Sequence, residues 1–361
     1  MMSENEAGAV REGEELDVTT VDRILKNNID GLSGQPEISQ FSGGSSNLTY
    51  LIQYPDSAAG KGRELVLRRP PFGTKAKSAH NMAREYEIMT ALKAGFATVP
   101  ETYFYSGDET LIGSEFFVMQ RVPGTLIGRE LPTEWNLSAV DTRKLAFSIF
   151  DKLIDLHQLD YKAVGLVDFG KPEGYVKRQV EGWSGRYVKA LTDDVEDYAD
   201  IRQWLLDKMP ANESRHSIVH GDFRIDNVIL SPNDHFQVDA VLDWELSTLG
   251  DPLMDLANTL AYWVQADDGE VMQNLVIQPS NAPGMPSRAE LLNYYAERTG
   301  ISINNFDFYA VYGYFRNAVI LQQIYYRYKH GQTTNPKFAL FGFAVGVLGE
   351  HCRQHIRQSS L

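Results

Sequence analysis

The sequence is short of cysteine, of long apolar runs and of positive charge. Cys352 is the only cysteine among 361 residues, so no internal disulfide can form and a reducing, cytoplasmic location is expected. The longest apolar run, residues 338–349, is too short to cross a bilayer, and the acidic, polar start shows no signal-peptide pattern. A net charge of −14 argues against a nucleic-acid backbone as partner. We therefore expect a cytoplasmic protein with neither a membrane nor a nucleic-acid partner.

The chain is long enough for two or three domains and shows no internal repeat. We predict a mobile tail at residues 1–16, a strand-rich N-terminal lobe with one long helix at 17–121, and a C-terminal lobe at 122–361. The C-terminal lobe carries long segments of helical periodicity, at residues 138–159, 287–299, 306–330 and 337–356.

Two polar clusters of this lobe flank a predicted hairpin. They are HGDFRIDNVIL at residues 220–230 and AVLDWE at residues 240–245. The apolar runs 228–230 and 238–242 indicate two short strands, because the sequence SPND between them is typical of a turn.

The hairpin would bring two oxygen-bearing side chains to one end. Asn227 precedes the first strand and Asp243 follows the second, so both could bind one Mg²⁺ that also takes phosphate oxygens from a substrate. Asp222, five residues before Asn227, could accept a hydrogen bond from an incoming hydroxyl. This pattern predicts phosphotransferase chemistry.

Particular motifs here resemble those of a known family. His220, Asp222 and Asn227 look like the H-x-D-x-x-x-x-N catalytic loop of kinase-like phosphotransferases, and Asp243 resembles their second metal-binding Asp. With GDPLMDLA at residues 250–257, the chain resembles the aminoglycoside phosphotransferase family, in the branch related to kinase domains fused to some acyl-CoA dehydrogenases.

The resemblance extends from about residue 41 to at least residue 327. It implies an α+β, two-lobed, protein-kinase-like fold, with an N-terminal antiparallel sheet and a larger, mainly helical C-terminal lobe. It also implies Mg²⁺ and a nucleotide donor, ATP or GTP.

Simpler interpretations exist for single residues. An isolated H-x-D motif is weak evidence for a catalytic role, because turns are rich in Asp. Asp251 before Pro252 is explained as a helix N-cap with proline at the first position. Asp255, one turn later, could brace the catalytic loop or simply be solvated.

A glycine-containing turn is the first candidate for phosphate binding. In FSGGSSNLTYL, residues 41–51, Gly43 and Gly44 allow close approach of the backbone, so the amides of Ser45, Ser46 and Asn47 could bond phosphate oxygens. No G-K-[ST] follows, so this is not a P-loop. Taken alone, the segment is an ordinary hairpin turn.

The kinase pattern expects a Lys on the next strand, residues 64–69, and this chain has arginine instead. Arg68 is the best substitute and Arg69 its rival. The helical partner should lie in a helix from about residue 79 to 93 with Gly95 as C-cap. Family resemblance favours Glu85 there; periodicity does not separate it from Glu87.

A buried strand at residues 116–122 runs into Pro123-Gly124, a predicted hinge. In the family the backbone at this place bonds the adenine ring. The resemblance therefore implies main-chain contacts from Gln120 and Val122.

The acceptor side is less defined. Arg224 stands where protein kinases carry a phosphate-contacting Lys, although a surface salt bridge would explain it equally well. Residues 174–189 carry four basic side chains and one acid, and a helix there could present cations and rings together. Arg316 interrupts an aromatic helix, where a charge is costly unless paired or wet. The candidate acceptor-binding residues are Arg178, Trp183, Arg186 and Arg316.

These cations favour an anionic, hydroxylated small molecule and not an aminoglycoside, which is a polycation. The resemblance points to a hydroxy acid or a hydroxyacyl thioester. Alternatively, the basic face of residues 174–189 pairs with the acidic stretch at residues 193–200.

Two other functional classes compete with a small-molecule kinase. A non-catalytic nucleotide-binding protein is supported only by the arginine at the lysine position. A metal oxygenase built on His220 and Asp222 needs a distant third ligand, and His235, in a turn, lies too near. Aromatic residues near the C-terminus could serve a homodimer as well as a core.

Overall fold

The computed structural model describes residues 7–42, 47–56, 62–71 and 81–361. These residues form two compact units. The first comprises the described parts of Met1–Leu126 with Val164–Leu166 and Asn227–Ser247, and the second comprises Ile127–Ala163, Val167–Asp226 and Thr248–Leu361.

The first unit contains a six-stranded antiparallel sheet of order β1-β2-β3-β4-β6-β5. Apolar side chains on one face, including Tyr50, Leu65 and Leu67, are fully buried in its core. Its strands are β1 (Ala7–Gly8), β2 (Glu37–Phe41), β3 (Leu48–Gln53), β4 (Glu64–Arg69), β5 (Thr102–Ser106) and β6 (Phe116–Gln120).

Two eleven-residue helices belong to this unit. Helix α1 (Val18–Asn28) begins at Asp17, whose side chain accepts a bond from the amide of Thr20, and it buries Val21 and Leu25. Helix α2 (Met82–Leu92) begins at the N-cap Asn81. The sequence prediction of α2 was wrong at its end: Lys93 is the C-cap, and not Gly95. Helix α1 was not predicted.

A second, three-stranded sheet completes the first unit. Strands β9 (Val228–Leu230) and β10 (Val238–Val241) form the predicted antiparallel hairpin, and β7 (Thr125–Leu126) pairs with β9. The predicted hairpin is thus confirmed.

The second unit is mainly helical. Strands β8 (Ser217–Val219) and β11 (Thr248–Gly250) form an antiparallel pair within it. The helices are α3 (Ala139–Gln158), α4 (Tyr175–Lys189), α5 (Ala199–Asp207), α6 (Pro252–Ala261), α7 (Glu270–Asn274), α8 (Arg288–Thr299), α9 (Phe306–Lys329) and α10 (Phe341–Gln358).

Helix α9 packs against α4, α5, α6 and α10. Its contact with α6 is close because Gly313 lacks a side chain: a Cβ there would lie 2.5 Å from the carbonyl oxygen of Ala257. This close approach places the side chains of α9 beside the loop that follows β8.

The capping signals predicted for α6 and α8 are confirmed. Ser287 and Glu290 form a capping box at the start of α8, and Gly300 caps its end in the left-handed conformation. Asp251 caps α6, with proline in the first turn.

The α+β class with an N-terminal antiparallel sheet and a mainly helical C-terminal part is confirmed. The boundaries predicted at residues 16 and 121 stay a prediction. Strand β1 lies within the segment predicted as the tail.

Candidate active site

The β9–β10 hairpin brings Asn227 and Asp243 together at one end, as predicted. The amide of Leu242 donates to the carbonyl of Asn227 at 2.8 Å, so the residues just outside the two strands lie side by side. Asp243 has the left-handed conformation, with φ 68°, and its side chain is 32% exposed. A non-glycine residue held in this conformation is typical of functional sites, and Asp tolerates it better than most.

Arg68 on β4 contacts three carboxylates of the first unit. Its Nη1 lies 3.1 Å from Glu85 Oε1, and its Nη2 lies 3.4 Å from Asp243 Oδ1 and 4.0 Å from Glu245 Oε2. Arg69 points elsewhere: its Nη1 donates to the carbonyl of Ile112. Of the two arginines, the structure therefore brings Arg68 to the predicted site.

Glu85, and not Glu87, is the partner of Arg68. Glu85 is 1% exposed on α2, whereas Glu87 is exposed. Burial raises the pKa of Glu85 to about 7; the charge of Arg68 opposes the rise, and Asp243 and Glu245 add to it. We expect this direction because three carboxylates share one guanidinium.

Glu245 is a site residue that the sequence reasoning missed. Its Oε2 accepts a bond from Asn47 Nδ2 at 2.8 Å, in addition to its approach to Arg68. The LDWE motif carries Glu245 two residues after Asp243, which was a signal for this site. Glutamate is common in turns, so the motif alone did not single it out. The other phosphate candidates, Gly43, Gly44, Ser45 and Ser46, lie outside the described residues.

The two predicted adenine contacts differ in their hydrogen bonding. The amide of Gln120 already donates to the carbonyl of Glu101 at 2.7 Å, and Gln120 pairs with Leu65 on β4. Val122 lies beyond the end of β6, and the strand registers of the described residues do not include it. The geometry therefore favours Val122 over Gln120 as a main-chain donor.

The oxygen donors in the first unit suit Mg²⁺ in kind. Asn227, Asp243 and Glu245 offer amide and carboxylate oxygens, which are hard ligands. In the described part of the chain, no group of three or more His, Cys, Asp or Glu side chains could hold a metal by itself. The donor atoms of Asn227, Asp243 and Glu245 fit Mg²⁺ by their chemistry.

In the second unit, the loop after β8 carries Asp222, and buried side chains hold its backbone. Asp255 on α6 is 1% exposed and accepts bonds from the amides of His220 at 2.6 Å and Gly221 at 2.8 Å. Of the two interpretations of Asp255, the solvated one is wrong and the bracing one is confirmed. The amide of Ile225 is held in turn by Gln278 Oε1 at 2.8 Å.

A buried network extends from Asp255. The His157 ring contacts Asp255 Oδ2 at 3.1 Å and the Tyr295 hydroxyl at 2.8 Å. Burial raises the pKa of Asp255, but hydrogen bonding to His157 and the nearby charge outweigh it, so the pKa lies below its usual value. Asp255 therefore stays ionised and keeps its bonds to the loop. His157, Tyr295 and Gln278 are buried polar residues that no local sequence motif indicated.

Arg224 lies beside the predicted base. Its Nε is 3.1 Å from Asp226 Oδ1 and its Nη2 is 3.5 Å from Asp222 Oδ2, while the guanidinium stacks over Tyr262. Both interpretations of Arg224 thus describe part of its surroundings: it is in a salt bridge, and it is at the candidate site.

The structure brings together three of the four residues predicted to bind the acceptor. The guanidinium of Arg316 lies 5.1 Å from the Trp183 ring centre, and that of Arg186 lies 4.4 Å from it. Arg178 is separate: it is exposed and donates to the carbonyls of Glu173 and Lys171.

The acidic stretch at residues 193–200 has other partners than the basic face of α4. Asp194 pairs with Lys329 on α9, and Asp200 and Glu196 pair with Arg353 on α10. These ion pairs favour the acceptor interpretation of α4 over the alternative of pairing.

Among the described helices, none combines the length and the hydropathy needed to cross a bilayer.

Comparisons with known proteins show the family and the fold of this chain. The model of the family described as "Phosphotransferase enzyme family" matches residues 37–291. Acyl-CoA dehydrogenase family member 11 from Homo sapiens is 32% identical over 355 residues, which are 96% of this chain and 44% of that protein. The chain spans less than half the length of the curated relatives it matches.

Solved structures share the fold. A protein from Ralstonia eutropha JMP134, provisionally assigned as an aminoglycoside phosphotransferase, is 27% identical with a TM-score of 0.81, and the match covers 96% of this chain and all of that one. A thermostable mutant of aminoglycoside phosphotransferase APH(4)-Ia, in complex with AMP-PNP and hygromycin B, is 14% identical with a TM-score of 0.54, over 94% of this chain and 99% of that chain. The kinase-like fold predicted from the sequence is confirmed.

Proposed function

Because this chain belongs to the phosphotransferase enzyme family, we propose that it is an Mg²⁺-dependent kinase that moves the γ-phosphate of ATP or GTP to a hydroxyl of a small molecule. The observation that carries this proposal is the contact of Arg68 with both Glu85 and Asp243. It joins the strand, helix and hairpin residues that a kinase-like site requires.

The first unit would bind the donor. Asn227 and Asp243 would hold Mg²⁺, which neutralises charge on the β- and γ-phosphates when bound. Arg68 would contact phosphate oxygens with its planar fork. The segment Gly43–Asn47 would add backbone amides, and Val122, with Gln120 as the weaker candidate, would bond the base.

The second unit would supply the base. Asp222 would accept the proton of the acceptor hydroxyl while the hydroxyl oxygen bonds to the γ-phosphorus and the bond from that phosphorus to the β,γ-bridging oxygen breaks. The nucleoside diphosphate leaves with that electron pair, and the proton on Asp222 passes to solvent. Arg224 would stabilise the transferring group from its place beside Asp222. Most of the rate gain would come from positioning and charge neutralisation.

For the acceptor we propose an anionic molecule, a hydroxy acid or a hydroxyacyl thioester. Support comes from Arg186 on α4, whose guanidinium lies 4.4 Å from the Trp183 ring centre, and from the ion pairs of Asp194 and Asp200, which are made with α9 and α10 and not with α4. The curated relatives are named for acyl-CoA dehydrogenases, whose substrates are acyl thioesters by that name.

We further propose a cytoplasmic location and a homodimer. The dimer is supported by an exposed apolar surface near the C-terminus, where Leu340 is 71% and Phe343 is 67% exposed.

The alternative is a nucleotide-binding protein without catalysis. One measurement separates the two: Mg²⁺-dependent consumption of ATP and of GTP with a panel of hydroxy acids, hydroxyacyl thioesters, amino alcohols and aminoglycosides. We expect turnover with an anionic acceptor, and none in Asp222→Asn. Nucleotide binding without turnover on any acceptor would favour the alternative. Absence of nucleotide binding would refute the kinase.

A further inference from the structure

Gly221, the residue before Asp222, is held by side chains from two helices that are distant in the sequence. Gly221 has φ 85°, a conformation that favours glycine. Asp255 on α6 accepts bonds from the amides of His220 and Gly221. On the other side, Arg316 Nη2 on α9 donates to the carbonyl oxygen of Gly221 at 2.7 Å. The Gly221 residue is therefore held at both its amide and its carbonyl by buried charges of opposite sign.

Arg316 is itself fixed in place. It is 3% exposed, and the Trp183 ring lies 5.1 Å from its guanidinium, with Arg186 at 4.4 Å from the same ring. Within the described part of the chain, its Nη1 has no hydrogen-bond partner. Burial opposes the charge of Arg316, but neighbouring groups, including Asp222, outweigh it and raise its pKa, so the guanidinium stays charged where it meets the carbonyl.

The carbonyl that Arg316 holds belongs to the peptide bond between Gly221 and Asp222. A change in ψ of Gly221 turns this carbonyl and moves the Cα of Asp222 with it, which redirects the carboxylate of Asp222. Glycine resists such rotation less than any other residue, because both signs of φ are open to it. The amide of the same peptide lies 3.3 Å from Nδ1 of His220. The bond from Arg316 is shorter and comes from a buried charge, so it restrains the orientation of this peptide.

We propose that Arg316 is a positioning residue: it locks the Gly221–Asp222 peptide so that the carboxylate of Asp222 faces the acceptor hydroxyl. This inference rests on the proposed kinase function for its catalytic part. It assigns Arg316 a role on the protein's own backbone, in place of the acceptor contact predicted from the sequence. Trp183 then acts through Arg316, because its ring packs against the guanidinium.

The test compares Arg316→Gln and Arg316→Lys with Arg327→Gln, an exposed arginine on the same helix. Two quantities are measured in each variant: the steady-state constants for nucleotide and acceptor, and the hydrogen exchange of single amides in residues 217–225. Exchange at Gly221 and Asp222 is expressed relative to the amides of β8, so that global destabilisation cancels.

In Arg316→Gln we expect kcat to fall about 100-fold, because misplacement by about 1 Å costs this much. The KM values for nucleotide and acceptor should stay within about twofold. Relative exchange at Gly221 and Asp222 should rise at least about tenfold, since their restraint is lost. Arg316→Lys should recover part of kcat, and Arg327→Gln should match the wild type in both readouts.

Two results would overturn the inference. A rise confined to the KM for the acceptor, with unchanged relative hydrogen exchange at Gly221 and Asp222, would mean that Arg316 contacts the acceptor. Unchanged kcat together with unchanged exchange would mean that the bond to Gly221 has no role. If the wild type shows no turnover with any acceptor, the kinase proposal fails, and the exchange measurement still decides whether Arg316 restrains the loop.

Discussion

The proposed donor-binding residues of the first unit, the donor half, and the proposed base with its loop in the second unit, the catalytic half, have opposite electrostatic arrangements. In the first unit, one guanidinium, Arg68, is shared by Glu85, Asp243 and Glu245. Neither Glu85 oxygen has a well-aligned hydrogen bond from the described residues. This half carries more negative charge than its own cation can neutralise, as expected of a place that binds Mg²⁺.

In the second unit, hydrogen bonds hold the loop that carries Asp222. Two arginine side chains of the same unit lie on one aromatic ring. Asp255, Gln278 and Arg316 bind four backbone groups of residues 220–225. Arg186 and Arg316 lie on Trp183. The difference teaches that the protein leaves the carboxylates of the donor half incompletely balanced, whereas it fixes the loop of Asp222 with its own hydrogen bonds.

The largest expected effect is a fall in kcat when the proposed base is replaced. Asp222→Asn should lower kcat about 10³- to 10⁴-fold, because the amide cannot accept the hydroxyl proton, while the Mg-nucleotide Kd stays within about threefold. Calorimetric binding beside steady-state kinetics would measure both. Glu290→Gln, a surface carboxylate on α8 that pairs with Arg143, is the control and should change neither value. Loss of nucleotide binding in Asp222→Asn would break the division between the halves.

In Asp243→Asn we expect nucleotide binding itself to weaken, whereas Asp222→Asn should retain it. This change removes a charged ligand, so the Mg-nucleotide Kd should weaken about 100-fold and turnover should fall with it. Binding of nucleotide measured with and without Mg²⁺ separates the two contributions. If affinity without Mg²⁺ falls equally, then Asp243 acts through Arg68 and not through the metal.

A pH effect on stability should appear in the donor half. The pKa of Glu85 is raised to about 7, so the folded protein binds this proton more tightly than the unfolded chain does. The resulting stabilisation is full below about pH 4.5, the ordinary Glu value, and is lost as pH rises through about 7.

Urea unfolding of metal-free protein between pH 5 and 8 measures this effect. The free energy of unfolding in the wild type should fall by about 2 kcal/mol more than in Glu85→Gln over that range. Glu87→Gln, the exposed neighbour on α2, should follow the wild type. Parallel curves for the wild type and Glu85→Gln would show that Arg68 alone keeps Glu85 ionised.

The smallest expected change distinguishes the two neighbouring arginines. Arg68→Lys keeps the charge but loses the fork, so nucleotide KM should rise about tenfold, or about 1.4 kcal/mol. Arg69→Lys should leave nucleotide KM within about twofold and lower stability by about 1 kcal/mol, because it weakens the bond to the carbonyl of Ile112. The opposite result would reassign the phosphate contact to Arg69.

Local patterns predicted much of this protein. The β9–β10 hairpin, the caps of α6 and α8 and the place of Asn227 and Asp243 at one end of the hairpin depend on residues close in sequence, so apolar runs and turn residues suffice to find them. The end of α2 was misplaced because glycine at residue 95 is a strong local signal, whereas the chain leaves the helix at Lys93.

The sequence by itself determined the class of fold, the candidate base and the candidate metal ligands, because their spacing is carried by one short segment. Only the tertiary structure decided which arginine meets Glu85, that Glu245 joins them, and that Asp255 and Arg316 hold the loop of Asp222. Asp255 and Arg316 lie 34 and 95 residues beyond Gly221, so their contacts follow from helix packing, which no local pattern records. Periodicity shows that a helix has a buried face; packing alone decides which backbone group a buried charge on that face will meet.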